Sequence, residues 1–200
     1  MLDSGELPRP RVLPMPFHVL RGACLAGLLS TCVSVVAAET GLPSRAIVAT
    51  EVAEQRYDAG SLRLLVPSAS TAGAYALLEL HEQAPYRTPA HVHPELDESF
   101  YVLEGTLSLE MEGRTHVLPA GSYVHIPRGT VHAQGSADEQ PVRLLTRLSP
   151  GGFERFFLDR VELARTVGRG DPAFQERMME LVRRYPQWLG PPPEASVPAR

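Results

Sequence analysis

From Ser61 to Leu148 the chain alternates apolar and polar residues in short runs, each closed by Gly or Pro. Leu62, Leu64 and Val66 alternate with Arg63 and Leu65, and Pro67-Ser68-Ala69-Ser70 breaks the run, which predicts a first strand. A second is predicted over Ala74 to Glu82. Its segment Tyr75 to Leu80 is apolar on both faces, as suits a strand covered on both sides. In the run Ser99 to Leu103, one of Phe100 and Tyr101 should face inward and the other join the outer-sheet core. Leu107, Leu109 and Met111 then face one way and Ser108, Glu110 and Glu112 the other, with a turn at Glu112-Gly113. Arg114 to Leu118 returns, Pro119-Ala120-Gly121 turns, Ser122 to Ile126 leads into Pro127-Arg128-Gly129, and Val142 to Leu148 closes the series. Short strands at regular intervals with this punctuation predict an all-β jelly-roll barrel over 61–149.

The period changes after the barrel. Ser149-Pro150 reads as a helix start, with Phe153, Phe156, Phe157 and Val161 at helical spacing. Asp171-Pro172 reads as a second start, followed by Phe174, Met178, Leu181 and Tyr185. Two α-helices over 150–186 are expected to pack their apolar stripes on the barrel as a clamp, a lid over its mouth being the functional alternative. Pro186 ends the second, and the Pro-rich tail 187–200 is expected to be extended or disordered. Before the barrel, 39–60 forms an N-terminal arm in which Ala46 to Val52 is expected to add a strand.

The first 38 residues follow another pattern. Arg9, Arg11 and Arg21 precede an uncharged run from Gly22 to Val35 that ends in Val36-Ala37-Ala38. A basic segment, an apolar segment and small residues before a cleavage point predict a signal peptide over 1–38, cut after Ala38, and export to a periplasmic or extracellular space. Cleavage would leave no stable membrane anchor. Both cysteines, Cys24 and Cys32, fall inside this segment, so the mature chain would contain neither a disulfide nor a thiolate ligand.

Composition narrows the chemistry. The chain has no Lys and no Asn, which excludes a Schiff-base lysine, a phosphate-loop lysine and an N-glycosylation acceptor. From Glu39 onward there are 16 Arg against 21 Asp and Glu, with no basic run, so nucleic acid is not an expected partner.

Four residues in the middle of the barrel look like one metal site. His91-Val92-His93 sends two imidazoles to the same face of a strand, Glu98 enters from the next strand, and His132 follows the Pro127-Arg128-Gly129-Thr130 turn. Three neutral imidazoles and one carboxylate suit a single divalent first-row ion. His81 and His116, on predicted strands, are expected to be exposed or hydrogen-bonded. His125, on the strand before His132, is the one further histidine placed to lie near the pocket, although the structural reading is preferred for it too.

The run HVHPELDESFYVLEG, with His-x-His, four residues, Glu, six residues and Gly105, and the run GSYVHIPRGTVH, with Gly121, five residues, Pro127-x-Gly129, two residues and His132, resemble the two motifs of the cupin superfamily. Pro85 and Ser136 depart from that pattern, where the family often has Gly and Asn; neither is a ligand position. The resemblance implies a double-stranded β-helix cupin barrel, a homodimer, and His91, His93, Glu98 and His132 as ligands of one divalent ion, Fe, Mn, Ni, Cu or Zn. It further implies a metal-dependent oxidoreductase, dioxygenase-like and quercetinase-like, acting on a small molecule, with Glu98 as ligand and base. The same ligand set serves cupins that only bind a small molecule or a metal, and metal Lewis-acid isomerases and decarboxylases, so these readings stay open.

Overall fold

The computed structural model describes residues 44–192. The leader expected at 1–38 and the final part of the Pro-rich tail lie outside the described residues. Within them the alternating runs become nine strands: β1 Gln55–Tyr57, β2 Gly60–Val66, β3 Ala76–Glu82, β4 Asp97–Glu104, β5 Thr106–Met111, β6 Arg114–Pro119, β7 Tyr123–Ile126, β8 His132–Ser136 and β9 Val142–Ser149. Two helices follow, α1 Glu154–Thr166 and α2 Phe174–Arg183. The strands form a six-stranded sheet in the order β1-β2-β3-β9-β4-β7 and a three-stranded sheet in the order β6-β5-β8, every pair antiparallel. This is the expected jelly roll with two C-terminal helices.

Register explains why the interior is apolar. Leu80 stands opposite Leu62 on one side and Leu144 on the other, and Leu144 stands opposite Val102. All four are buried, as are Leu107 and Leu109, which β5 contributes from the facing sheet. Each such side chain contributes roughly 1.5–3 kcal/mol on burial. Phe100 takes the inward position, fully buried, while Tyr101 is 41% exposed on the outer face opposite Tyr123, so it is a surface residue and not outer-sheet core.

Three local expectations are corrected. Ala46 to Val52 forms no strand; a short 3-10 turn at Ala49–Glu51 occupies it, and none of its residues is buried. The first helix begins at Glu154, not at Pro150, because the Ser149 hydroxyl is engaged with the Ala74 carbonyl (3.0 Å) and the Glu154 carboxylate accepts from the backbone of Ser68 and Gly152 instead. The second helix starts close to expectation, with an Asp171 carboxylate oxygen accepting from the Ala173 N–H (2.8 Å) ahead of Phe174. The beginning of the expected tail is not free: Gly190 forms a β-bridge with Val92.

Gly135 lets the segment 86–92 lie against β8. A Cβ there would meet the Tyr86 carbonyl oxygen at 2.3 Å, so the close crossing tolerates only glycine. Across it run Ser136 N–H to Tyr86 O (3.0 Å), Thr88 N–H to Gln134 O (2.8 Å) and a reciprocal His91–His132 pair (2.9 and 3.0 Å). The segment thus extends the smaller sheet and carries His91 and His93 to the same end of the barrel as His132.

Glu82 marks the far end of β3 on the same interior face as Leu78 and Leu80, and it is 1% exposed. The Tyr57 hydroxyl donates to it, while Arg160 of α1 pairs with Asp58 (2.9 Å) and lies over the Tyr57 ring (4.6 Å). Burial pushes the Glu82 carboxyl up to about 7 against the opposing charge of Arg160. Between the ordinary carboxylate range and about 7, the folded chain therefore holds a proton that the unfolded chain has released, and stability falls as pH rises through that window. Glu82→Gln removes this loss. Thermal unfolding is expected to show the variant gaining on the wild type between about pH 5 and about pH 8; a difference in Tm independent of pH would refute the assignment.

Candidate metal centre

Each candidate ligand reaches the centre for an identifiable reason. Glu98 is the second residue of β4, opposite Leu148 and Ile126, and the strand's alternation puts it on the interior face with Phe100 and Val102. His132 opens β8, directly across from His91 on one side and Met111 on the other. His93 lies two residues beyond His91. The turn after β7 is hooked to its neighbours twice: the Asp97 carboxylate accepts from the Arg128 backbone N–H (2.9 Å) and guanidinium (2.8 and 3.1 Å), and the Gly129 N–H donates to the His93 carbonyl (2.8 Å). Gly129 can do so because it adopts a φ of 79°. The guanidinium of Arg128 holds the Asp97 carboxyl down at about 2.

The four expected ligands are brought together. One donor atom from each of His91, His93, Glu98 and His132 lies within 4.8 Å of all the others. His93, Glu98 and His132 are buried, at 3%, 2% and 1% exposure, and His91 is half-buried, so it is the side from which the centre can be reached. Beside His132 lies a cleft of about 630 Å³, lined also by Ala90, Glu110, Met111, Glu112, Arg114 and Thr130.

The hydrogen bonds decide which ring atoms point inward. His91 Nδ1 lies 2.8 Å from the Pro89 carbonyl, His132 Nδ1 lies 3.0 Å from the Thr130 carbonyl, and His93 Nδ1 lies 2.5 Å from the Trp188 carbonyl. A carbonyl has no proton to give, so each Nδ1 carries a hydrogen and each ring turns its Nε2 inward. Second-sphere carbonyls of this kind orient metal-binding imidazoles. His93 Nε2 and His132 Nε2 lie 3.4 and 3.3 Å from the same Glu98 oxygen, an arrangement of lone pairs that requires positive charge among them, whether a proton or a metal cation. The donor set therefore fits a divalent ion.

Electrostatics agrees with that reading. Burial opposes ionisation of Glu98, yet the hydrogen bonds and charges of His132 and His93 hold its carboxyl well below the usual range. Burial also opposes charging of His93, but Glu98 and the Trp188 carbonyl raise it above the ordinary imidazole value. For His91 burial dominates, helped by His132, and the ring is pushed down to about 4, which leaves its Nε2 a free donor at neutral pH.

His81 on β3 and His116 on β6, both half-buried, lie outside the centre. His125 is on the outer face, exposed, with Nδ1 3.2 Å from the Ser99 hydroxyl, and it takes no part in the centre. Sequence reasoning missed the Trp188 carbonyl and the Asp97–Arg128 hook. The second had a signal, since an acid beside Glu98 and a base inside the turn before His132 are natural partners. The first had none, because any residue type supplies a carbonyl.

Comparisons with known proteins place these features. A family model described as Cupin domain matches residues 77–147, which include all four candidate ligands. The chain is 30% identical over 95 residues to quercetin 2,3-dioxygenase of Bacillus subtilis, a match covering 48% of this chain and 28% of that protein. It is 28% identical over 107 residues to polyketide synthase CurC of Streptomyces cyaneus, covering 53% of this chain and 70% of that one. Ectoine synthase from P. lautus superposes with a TM-score of 0.50 at 15% identity over 58% of this chain and 85% of that one, a likeness of fold. The chain thus spans little more than a quarter of the quercetin dioxygenase it matches. Jelly-roll topology, the two ligand-bearing motifs and the family match agree: the protein contains a cupin domain, matched over residues 77–147.

Proposed function

We propose that this protein is a metal-dependent oxidoreductase of the dioxygenase type acting on a small, anionic organic molecule. The observation that carries the reading is the set of three Nε2 donors and one ionised carboxylate within 4.8 Å of one another, beside a cleft large enough for a small substrate. A divalent ion held by His91, His93, Glu98 and His132 would supply Lewis acidity and a net site charge of about +1. The similarity to a quercetin 2,3-dioxygenase supports the oxidoreductase over other uses of the same ligands.

The chain's own residues divide the remaining work. Glu98 is ligand and proton acceptor, its charge maintained by His93 and His132. His91 is the one half-buried ligand, and the cleft beside His132 carries Arg114 and Thr130 together with Glu110 and Glu112, so the attraction for an enolate, phenolate or carboxylate would come from the ion. The Leu and Phe side chains beneath, Phe100, Leu107 and Leu109, exclude water from the carboxylate. The same four donors suit a second reading, a barrel that holds a metal without turnover. Elemental analysis of protein purified without chelators, followed by oxygen-uptake screening of phenolic and diketone substrates, separates the two.

His93→Ala is expected to lower metal affinity by about 100-fold or more, since each ligand contributes only while the others are held in place. Glu98→Gln keeps the shape but removes the charge, so metal should weaken and turnover should stay absent when metal is restored. His125→Ala should retain both. A wild-type protein unable to take up iron, manganese, nickel, copper or zinc would end the metal and dioxygenase readings together.

We further propose a homodimer and an exported mature chain. The dimer is supported by Tyr101 (41% exposed) and Tyr123 (62%) side by side on the outer face, and by the open edges of both sheets. Sedimentation at low concentration should give a dimer; a monomer throughout would reject it. Export is supported by the sequence pattern of the first 38 residues, and among the described residues no helix is long and apolar enough to cross a membrane. Mass spectrometry of protein from producing cells should find Glu39 as the N-terminus. An intact leader would reject cleavage.

A further inference from the structure

The three imidazoles are not oriented by equivalent means. His91 and His132 each donate Nδ1–H to the carbonyl two residues earlier, Pro89 and Thr130, so the turn that delivers the ring also fixes it. His93 has no such local partner. Its acceptor is the Trp188 carbonyl, 95 residues away in sequence, at the shortest of the three distances, 2.5 Å.

Several contacts hold that carbonyl in place. Gly190 and Val92 exchange both backbone hydrogen bonds, Gly190 N–H to Val92 O at 2.9 Å and Val92 N–H to Gly190 O at 3.0 Å, one residue before His93. The turn itself is closed by the Trp188 and Leu189 N–H groups on the Tyr185 carbonyl (2.9 and 2.8 Å), and the Tyr185 hydroxyl donates to Asp159 of α1 (2.8 Å). The Trp188 ring lies against Gly152, where an added Cβ would stand 3.2 Å from Cζ2, and Phe153 meets the His93 ring edge-on at 5.0 Å. Both helices therefore converge on one ligand.

We propose that residues 185–190 are a positioning strap for the metal centre, with Trp188 as the positioning residue that holds His93 in the tautomer whose Nε2 faces the ion. This rests on the metal reading above and assigns the C-terminal helices a role in it. Packing alone does not explain why the strap ends on the one ligand lacking a local acceptor. Because the strap and the ion act on the same ring, each strengthens the other: a docked strap raises metal affinity, and bound metal holds the strap down by the same factor. The strap covers the His93 side of the centre, which leaves the His91 side as its approach.

The test combines a structural signature with an affinity, on the full chain. Long-range ¹H–¹⁵N NMR of the imidazoles in metal-free wild type at about pH 8, above the ordinary imidazole value, should show His91, His93 and His132 all carrying Nδ1–H. Gly190→Pro, which deletes the N–H given to Val92, should shift His93 alone to a tautomer mixture. It should also weaken zinc, measured by chelator competition, about 10–100-fold. Trp188→Phe, which keeps the carbonyl and an aromatic ring, should stay near wild type. Tyr185→Phe, losing only the anchor to Asp159, should fall between and serves if Gly190→Pro does not fold. The proposal is overturned if His93 in folded wild type lacks Nδ1–H, or if a folded Gly190→Pro variant keeps both the Nδ1–H and the zinc affinity. A wild-type protein that takes up no zinc or other divalent ion overturns the metal reading and with it the coupling, even with His93 in the Nδ1–H form, so the two failures are told apart.

Discussion

An ionised carboxylate held at 2% exposure between apolar side chains is the constraint on which the rest of this molecule depends. Burying the Glu98 charge without compensation would cost several kcal/mol. The fold meets that cost with three imidazoles arriving from two segments, each turned by a backbone carbonyl so that its basic nitrogen faces the same point. Remove the orienting carbonyls and the rings are free to present N–H in place of a lone pair. The donor set would then be a group of polar residues with no common purpose.

Convergence of this kind is a property of the topology. In a jelly roll the two sheets close over one interior, so β4 brings Glu98 from the larger sheet while β8 and the segment 86–92 bring the histidines along the smaller. The Asp97–Arg128 hook and the Gly129–His93 hydrogen bond tie the two sheets together at that end. Neither the hook nor the bridge at Gly190 is part of a regular ladder, and both sit within one or two residues of a ligand. Irregular backbone is concentrated where the ligands need fixing.

The ligands and the barrel were legible in the sequence because each is written in local spacing. His-x-His places two rings on one face wherever the segment is extended, and the period-two runs of β5 and β9 specify which side is buried. What escaped was what depends on distant partners. Ala46 to Val52 has strand composition but finds no neighbour to pair with. Ser149-Pro150 has the chemistry of a helix start, yet Ser149 is engaged with Ala74 and the helix waits for Glu154. Tyr101 is apolar enough for an outer core and remains exposed, since the helices cover another part of the barrel. Trp188 reads as the start of a proline-rich tail, and its functional atom is a carbonyl that carries no residue identity.

Two glutamates on the same interior face show how far environment, and not residue type, decides the chemistry. Glu82 and Glu98 are equally buried, at 1% and 2%, and both stand on strands of the larger sheet among leucines. Burial drives the Glu82 carboxyl up to about 7, and Arg160, committed to Asp58, offsets only part of that rise, so Glu82 is largely a neutral acid in the fold below that pH. Glu98 faces Nε2 atoms of two rings at 3.3 and 3.4 Å, and it stays a carboxylate. The difference is the positive charge that imidazole can either carry as a proton or yield to a cation. A buried glutamate alone would make this barrel a packed structural core. The oriented imidazoles around Glu98 give one end of it an anionic ligand set that a divalent ion can complete, while the other end remains a hydrogen-bonded anchor for α1.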